Sequence, residues 1–124
     1  MPYITISASS GFSAKQKKQL MQSASDAMVQ SVGAPLASVR VMLHELADGH
    51  YLNAGQFDTQ ALMYLVEFIE GRTDEQKESL ISALSKAGTE ATGVSLDEVR
   101  VRIVDFPSQC MGMAGGVSAK ARGR

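Results

Sequence analysis

Pro2, which directly follows Met1, is the first residue of the chain whose type suggests chemistry. Removal of Met1 would give Pro2 a free secondary amine in place of a peptide nitrogen. A neutral amine can take a proton from an enol hydroxyl, or from a carbon next to a carbonyl, and return it to another carbon. Burial beside cations would lower the pKa of this amine toward working pH, because both disfavour the charged form. Pro2 therefore predicts a general base, on the condition that Met1 is absent.

Three arginines, Arg40, Arg72 and Arg100, are candidates for binding acidic groups. A guanidinium binds a carboxylate through two parallel hydrogen bonds, and beside a carbonyl it would stabilise developing enolate charge. Each arginine also has an ordinary structural interpretation. Arg72 fits a surface residue at the start of a helix, and the other two fit partners of carboxylates on a sheet. Both interpretations stay open at this point.

The other reactive side chains are interpreted as structural. His44 and His50 have no triad-like context, and Cys110 is expected to be a small buried side chain rather than a nucleophile. One cysteine and two histidines do not make a zinc site without several carboxylates, so we expect no metal. A single cysteine cannot form an internal disulfide, which fits a reducing compartment.

The composition excludes several classes of protein. The chain has 124 residues, 44% of them hydrophobic and 20% charged, which suits one compact domain. The net charge of −1 and the absence of tryptophan argue against binding to nucleic acid or membranes. We find no signal-peptide pattern and no apolar run that approaches the roughly 20 residues of a membrane span. A soluble, cytoplasmic protein is expected.

The chain is an internal duplication with a constant offset of 60 residues. The two halves align without a gap, and a chance origin of so many matches in one register is improbable. The matched positions are Gly11/Gly71, Gln16/Gln76, Lys17/Lys77, Leu20/Leu80, Ser25/Ser85, Gly33/Gly93, Leu36/Leu96, Val39/Val99, Arg40/Arg100, Val41/Val101, Ala54/Ala114 and Gly55/Gly115.

Each half reads as strand, helix, strand. Segments 3–8 and 64–69 are rich in strand formers, and 38–45 and 98–105 are expected to be the second strands. The helices begin at capping boxes, Ser13 to Gln16 and Thr73 to Gln76, and end at Gly33 and Gly93. The predicted buried stripes are Leu20, Ala24, Ala27, Met28 and Val32 in the first helix, and Leu80, Leu84, Ala87 and Ala91 in the second.

The predicted fold class is α/β (α+β), built from a tandem β-α-β repeat. We expect a four-stranded, mainly parallel sheet with two helices on one face. The units are 1–61, with Pro2 and the connecting segment, and 62–124, with Arg72 and the C-terminal tail; they share one compact, pseudo-symmetric domain. The other face of the sheet would be bare, and oligomerisation is the simplest way to cover it.

At family spacing, these features resemble the 4-oxalocrotonate tautomerase family in a fused form with two units per chain. The resemblance covers nearly the whole chain. It rests on Pro2, on segment 34–41 followed by His44-Glu45, on Gly49-His50-Tyr51, and on segment 70–81. It implies a catalytic N-terminal proline, arginines that hold substrate carboxylates, no cofactor, and a homotrimer with tautomerase/MIF-like architecture.

Residue by residue, the resemblance implies one active site per chain. Pro2 is at the catalytic proline position, where the second half has Leu62. The first-loop arginine is matched by Arg72, where the first half has Phe12, and that arginine is expected to serve the proline of the other half. The second-strand arginine is matched by Arg40 and Arg100. Tyr51, Met111 and Ile69 are expected to line the pocket, although Tyr51 and Met111 fit interface packing equally well.

The implied function is cofactor-independent keto–enol tautomerisation of a small carboxylate, such as 2-hydroxymuconate or phenylenolpyruvate. A dehalogenase is disfavoured because segment 111–117 has no acid, and a decarboxylase because Ser38 stands where that pattern has Asp. A non-catalytic trimeric binding protein is the remaining alternative, and retained Met1 would favour it.

Overall fold

The computed structural model describes residues 2–124. Within them, strands and helices follow in the order β1 (Tyr3–Ala8), α1 (Ala14–Val32), β2 (Arg40–Glu45), β3 (Leu52–Asn53), β4 (Gln56–Phe57), β5 (Leu62–Ile69), α2 (Asp74–Thr92), β6 (Val99–Phe106), β7 (Gly112–Met113) and β8 (Val117–Ser118). The predicted strand bounds are confirmed to within two residues. The two β-hairpins, β3–β4 and β7–β8, were not predicted, because two-residue strands leave no periodicity to read.

The main sheet has the strand order β2-β1-β5-β6. The outer pairs, β1 with β2 and β5 with β6, are parallel, as a β-α-β unit requires. The central pair, β1 with β5, is antiparallel, with Tyr3 opposite Glu67 and Ala8 opposite Leu62. The sheet is therefore mixed. Because β1 and β5 run in opposite directions, they begin at opposite ends of the sheet.

Both helices begin and end as the sequence predicts. The hydroxyls of Ser13 and Thr73 accept hydrogen bonds from the N–H groups of Gln16 and Gln76, and both glutamine side chains bond back to the cap residue. These reciprocal bonds satisfy two otherwise unpaired donors at each helix start. At the other end, Gly33 and Gly93 adopt left-handed φ angles of 67° and 78°, which favour glycine.

The core lies between the two helices and one face of the sheet. Residues of β1 and β5 alternate between buried and half-buried, with Ile4, Ile6, Tyr64, Val66 and Phe68 facing the helices. The buried stripe of α1 is as predicted. In α2 the prediction for Ala87 was wrong: Ala87 is half-buried and Gly88 is buried instead. A Cβ on Gly88 would lie 2.7 Å from the Tyr64 hydroxyl, so the large ring occupies the space beside the helix.

The opposite face of the sheet, which we call the open face, has no covering element among residues 2–124. Its side chains include Met42 and Val104, which are 44% and 47% exposed. No helix in the described range is long and apolar enough to cross a membrane.

Candidate active site

Pro2 directly precedes β1, on the helix side of the sheet. Its side chain is less than 2% exposed, and its carbonyl accepts a hydrogen bond of 3.1 Å from the Arg40 N–H. In the antiparallel pairing, Tyr3 lies opposite Glu67. Continuing this register by one residue places Pro2 opposite Phe68. We call this region the Pro2 end of the sheet.

Arg72 lies at the Pro2 end, although it belongs to the second repeat. Its guanidinium carbon is 4.7 Å from the centroid of the Phe68 ring, and its Nη1 donates a 2.9 Å hydrogen bond to the Ile69 carbonyl. The stacked ring and the carbonyl together fix the guanidinium, because a cation is attracted to an aromatic face. The antiparallel centre of the sheet therefore places Pro2 and Arg72 at the same end of the sheet.

Arg40 is at the same end of the sheet but has a different setting. It lies opposite Tyr3 in the β1–β2 pairing, and its exposed side chain alternates with Val41 and Leu43, which pack on the core. The side chain therefore belongs to the open face. Its Nη1 donates to the carbonyls of Ala37 and Val39, at 2.9 and 3.2 Å.

Arg100 is at the other end of the sheet. It lies opposite Met63, which in turn lies opposite Ser7, five residues along β1 from Pro2. At about 3.3 Å per residue, this separation is roughly 17 Å along the strand. Arg100 of one chain therefore does not reach Pro2 of that chain. Instead it lines a 480 Å³ pocket on the open face, together with Thr5, Ser7 and Arg102.

Of the three predicted pocket-lining residues, Ile69 and Met111 lie toward the Pro2 end of the sheet, whereas Tyr51 lies toward the other end. Ile69 is half-buried at the Pro2 end, where its carbonyl accepts from Arg72. Met111 is 8% exposed and precedes the β7–β8 hairpin; Met113 of this hairpin shares a small pocket with Ala37, beside Arg40. Tyr51 precedes the β3–β4 hairpin, whose Asn53 bonds to Glu98 at the far end of the sheet.

At that far end, apolar residues occupy the positions equivalent to Pro2, Phe68 and Arg72. Leu62 is fully buried, and Ala8 and Phe12 are 1% and 8% exposed members of the core. At the Pro2 end the aromatic residue is Phe68 on the strand, whereas at this end it is Phe12 in the loop. We call this region the Leu62 end; it has neither an N-terminal amine nor a loop cation.

The remaining reactive side chains lie on the surface. The prediction that Cys110 is buried was wrong: its side chain is exposed, just after β6. His44 and His50 are also exposed. In the described part of the chain, no three His, Cys, Asp or Glu side chains are grouped so as to hold a metal ion.

Two residues of interest were missed at the sequence level. Phe68 supports Arg72, and its spacing of four residues before Arg72 was a signal that the sequence contained. Arg102 lines the open-face pocket, and its spacing of two residues after Arg100 already placed both on one face of a strand.

Comparison with known proteins agrees with the fold and the duplication. The family model described as "Tautomerase enzyme" matches residues 2–58 and 65–121, which are the two repeats. A 2-hydroxymuconate tautomerase from Pseudomonas putida is 48% identical over 59 residues, which cover 48% of this chain and 92% of the relative.

Several solved structures align with almost the whole chain. The crystal structure of Pt0534 inactivated by 2-oxo-3-pentynoate is 69% identical, has a TM-score of 0.97, and aligns over 98% of this chain and 99% of its own. A fused 4-OT called Q0, described as a wild-type symmetric trimer, is 40% identical with a TM-score of 0.94 over the same shares.

The two tandem β-α-β units, with their four-stranded mixed sheet and two helices, form the fold of the fused 4-OT enzymes. The chain belongs to the tautomerase enzyme family.

Proposed function

We propose that Pro2, freed by removal of Met1, is the general base of a keto–enol tautomerase. The observation that carries this proposal is the position of Pro2: it is fully buried at the end of the sheet where Arg72 is held on Phe68. Burial and a nearby guanidinium both disfavour a protonated amine, so the free nitrogen would be neutral enough to accept a proton. It would take the proton from an enol hydroxyl and return it to carbon.

Arg72 is proposed to bind a carboxylate of the substrate. Its guanidinium bonds within the chain through Nη1, to a single carbonyl. The remaining N–H groups match the two oxygens of a carboxylate. This contact would fix the substrate with its enol near Pro2. The substrates we propose are 2-hydroxymuconate and enolpyruvates such as phenylenolpyruvate, in line with the P. putida relative, which is named for 2-hydroxymuconate.

We further propose that the chain acts as a homotrimer. The open face and both hairpins expose apolar side chains, including Met42 at 44%, Val104 at 47% and Phe57 at 64%. Exposed apolar area of this kind favours association between copies. The symmetric trimer of Q0 is consistent with this proposal. Light scattering should give three times the 13.2 kDa mass of the chain, and a monomer would contradict it.

Within such a trimer, Arg40 and Arg100 are proposed to serve as substrate ligands from the open face. Arg40 is at the Pro2 end of its own chain, whereas Arg100 would reach a Pro2 only in another copy. Tyr51, Met111 and Ile69 are proposed to line the same sites.

Pro2→Ala tests the proline ring nitrogen as the base, because the processed variant presents a more mobile primary amine in its place. An ultraviolet assay with 2-hydroxymuconate should show kcat/KM reduced by about 10²- to 10⁴-fold, the usual contribution of a general base. Pro35→Ala is the matched control, because Pro35 is an exposed proline whose nitrogen is in a peptide bond. It should keep its rate. Full activity of Pro2→Ala, with Met1 shown to be removed by intact mass, would overturn the proposed mechanism.

A further inference from the structure

The backbone of β1 is bonded to a neighbouring strand on both of its edges from its first residue. β1 pairs with β2 on one side and with β5 on the other, so Tyr3 lies opposite both Arg40 and Glu67. The hydrogen bond from the Arg40 N–H to the Pro2 carbonyl extends this pairing one residue toward Met1. The backbone that directly follows Met1 is therefore held inside the sheet.

Burial adds to this restraint. The side chain of Pro2 is less than 2% exposed, and those of Ile4 and Ile6 are fully buried between the sheet and the helices. The first residues of a domain are poorly ordered unless they are tied down, for example as a strand in a sheet. Strands in a core open with free energies that approach the free energy of global unfolding, whereas frayed termini open at almost no cost. Pro2 is bonded to Met1 and is nevertheless in a protected part of the fold.

Removal of Met1 requires access to this backbone. The reaction is hydrolysis of the bond between the Met1 carbonyl carbon and the Pro2 nitrogen. Water gives a hydroxyl to the carbon and a proton to the nitrogen, which yields free methionine and an N-terminal proline. Extended peptides are recognised through main-chain hydrogen bonds, and those of Tyr3 are already used within the sheet. Cleavage of a folded chain therefore depends on the small population of molecules in which β1 has opened.

We propose that Met1 is removed only while β1 is outside the sheet, by a methionine aminopeptidase that acts on the chain before it folds. The folded protein then keeps whichever form of the Pro2 nitrogen, amine or amide, it had when β1 was incorporated. The consequence for activity rests on the proposed function, because an amide nitrogen at Pro2 cannot act as the base. Competition between processing and folding sets the active fraction of the protein.

The test uses folded protein that retains Met1, incubated with a purified methionine aminopeptidase and followed by intact mass. A synthetic peptide of residues 1–10 is the comparison, since it has the same cleavage site and no sheet. The peptide should lose its methionine. The folded protein should lose it at least about 10³-fold more slowly, because a stable domain leaves fewer than roughly one molecule in 10³ open. Equal rates in the two substrates would overturn the proposal.

A variant with Gly-Ser-Gly-Ser inserted between Met1 and Pro2 is the matched control. Its cleavage site is a Met–Gly bond ahead of the inserted segment, while the chain from Pro2 onward keeps its sequence. Circular dichroism checks that the variant is folded, and it should then lose methionine about as fast as the peptide. If the folded variant kept its methionine, burial of Pro2 would not be the cause of the protection and the proposal would fail.

Gly88→Ala provides a second measurement from the opposite end of the sheet. A Cβ on Gly88 would lie 2.9 Å from Leu62 Cδ1, so this substitution lowers global stability without touching Pro2. It should speed the removal of Met1 from the folded protein about tenfold, because more molecules are open. An unchanged rate would show that local fraying at Pro2 is sufficient and would contradict the need to release β1. Since mass is measured and turnover is not, these results are independent of whether Pro2 acts as the base.

Discussion

The two ends of the sheet share one backbone plan, and three pairs of equivalent residues distinguish their chemistry. At the Pro2 end, Phe68 lies under Arg72, and Pro2 is opposite the ring in register. At the Leu62 end, the equivalent residues are Ala8, Phe12 and Leu62, all of which are buried in the core. Each end has one aromatic ring, Phe68 or Phe12, but only the Pro2 end has an arginine beside the ring. The duplication thus keeps packing at both ends, and the residues that we propose for proton transfer lie at one of them.

Truncation of Phe12 should lower the stability of the protein and leave its catalytic activity unchanged. Phe12→Ala removes a buried ring from the core at the Leu62 end. The free energy of unfolding should fall by about 3 kcal/mol, as is usual for a large core truncation. Denaturant titration measures the loss. The kcat/KM of the folded enzyme should stay near that of the parent, and a selective loss of activity would mean that this end also takes part in the reaction.

Arg72→Ala should have the opposite outcome. The side chain is part-buried and stacks on the face of Phe68 rather than filling the core, so the unfolding free energy should change little. Loss of a charge-assisted bond to substrate should raise the KM for 2-hydroxymuconate by roughly 10- to 100-fold, equivalent to about 1.5–3 kcal/mol. Steady-state kinetics in the ultraviolet assay measure it. An unchanged KM would remove Arg72 from the proposed site.

The cores of the two repeats differ in the same compensating manner. In the first repeat the strand carries Ile4 and the helix carries the larger Met28. In the second repeat the equivalent residues are Tyr64 and Gly88, so the larger side chain is on the strand. A Cβ on Gly88 would lie 2.7 Å from the Tyr64 hydroxyl and 2.9 Å from Leu62 Cδ1. Gly88→Ala should therefore destabilise the protein by about 1–3 kcal/mol through overpacking.

Tyr64→Phe relieves part of this clash and provides the control. The Tyr64 hydroxyl is buried without a hydrogen-bond partner among the described residues, and burial raises the pKa of this phenol. Removing it should cost little stability, because no bond is lost. Combined with Gly88→Ala, it should recover part of the loss in a denaturant double-mutant cycle. Strict additivity would indicate that the hydroxyl does not cause the overpacking.

The smallest expected effect concerns an ion pair that the duplication repeats. Lys17–Glu45 and Lys77–Asp105 join each helix to an outer strand, at 3.0 and 2.7 Å. The hydrogen bond from Lys77 lowers the pKa of Asp105 below its usual 3.8. Because the folded pKa is depressed, this contribution to stability is present above the unfolded pKa and is lost as pH falls through the folded value. The pair is exposed, so the contribution is small.

NMR titration of the Asp105 carboxyl measures this effect. The midpoint should lie below 3.8 in the parent and rise toward that value in Lys77→Met. A midpoint that is the same in both proteins would show that the ion pair does not persist in solution.

Local features of the fold were predictable from the sequence. The capping boxes at Ser13 and Thr73 and the glycines at the helix ends act within a few residues, so they can be read directly. The 60-residue repeat then gave the order of elements. What could not be read was the antiparallel pairing of β1 with β5, because strand direction depends on the path of the connection.

That pairing also decides the arrangement of the site. It places Arg72 at the Pro2 end and Arg100 at the other, although Arg40 and Arg100 look alike in sequence. Gly88 was missed for a related reason: helical periodicity selected Ala87, whereas the size of Tyr64 on a distant strand decided which position is buried. Tertiary packing, which one sequence shows only indirectly, settled both points.

The central claim is that the two ends differ in chemistry because only Pro2 can become a free amine. Two preparations of the same chain test this most directly, one with Met1 removed and one expressed under conditions that retain it, each verified by intact mass. Retention of Met1 should lower kcat/KM for 2-hydroxymuconate by about 10²-fold or more, because a peptide nitrogen cannot act as a base. Equal rates in the two preparations would contradict the account.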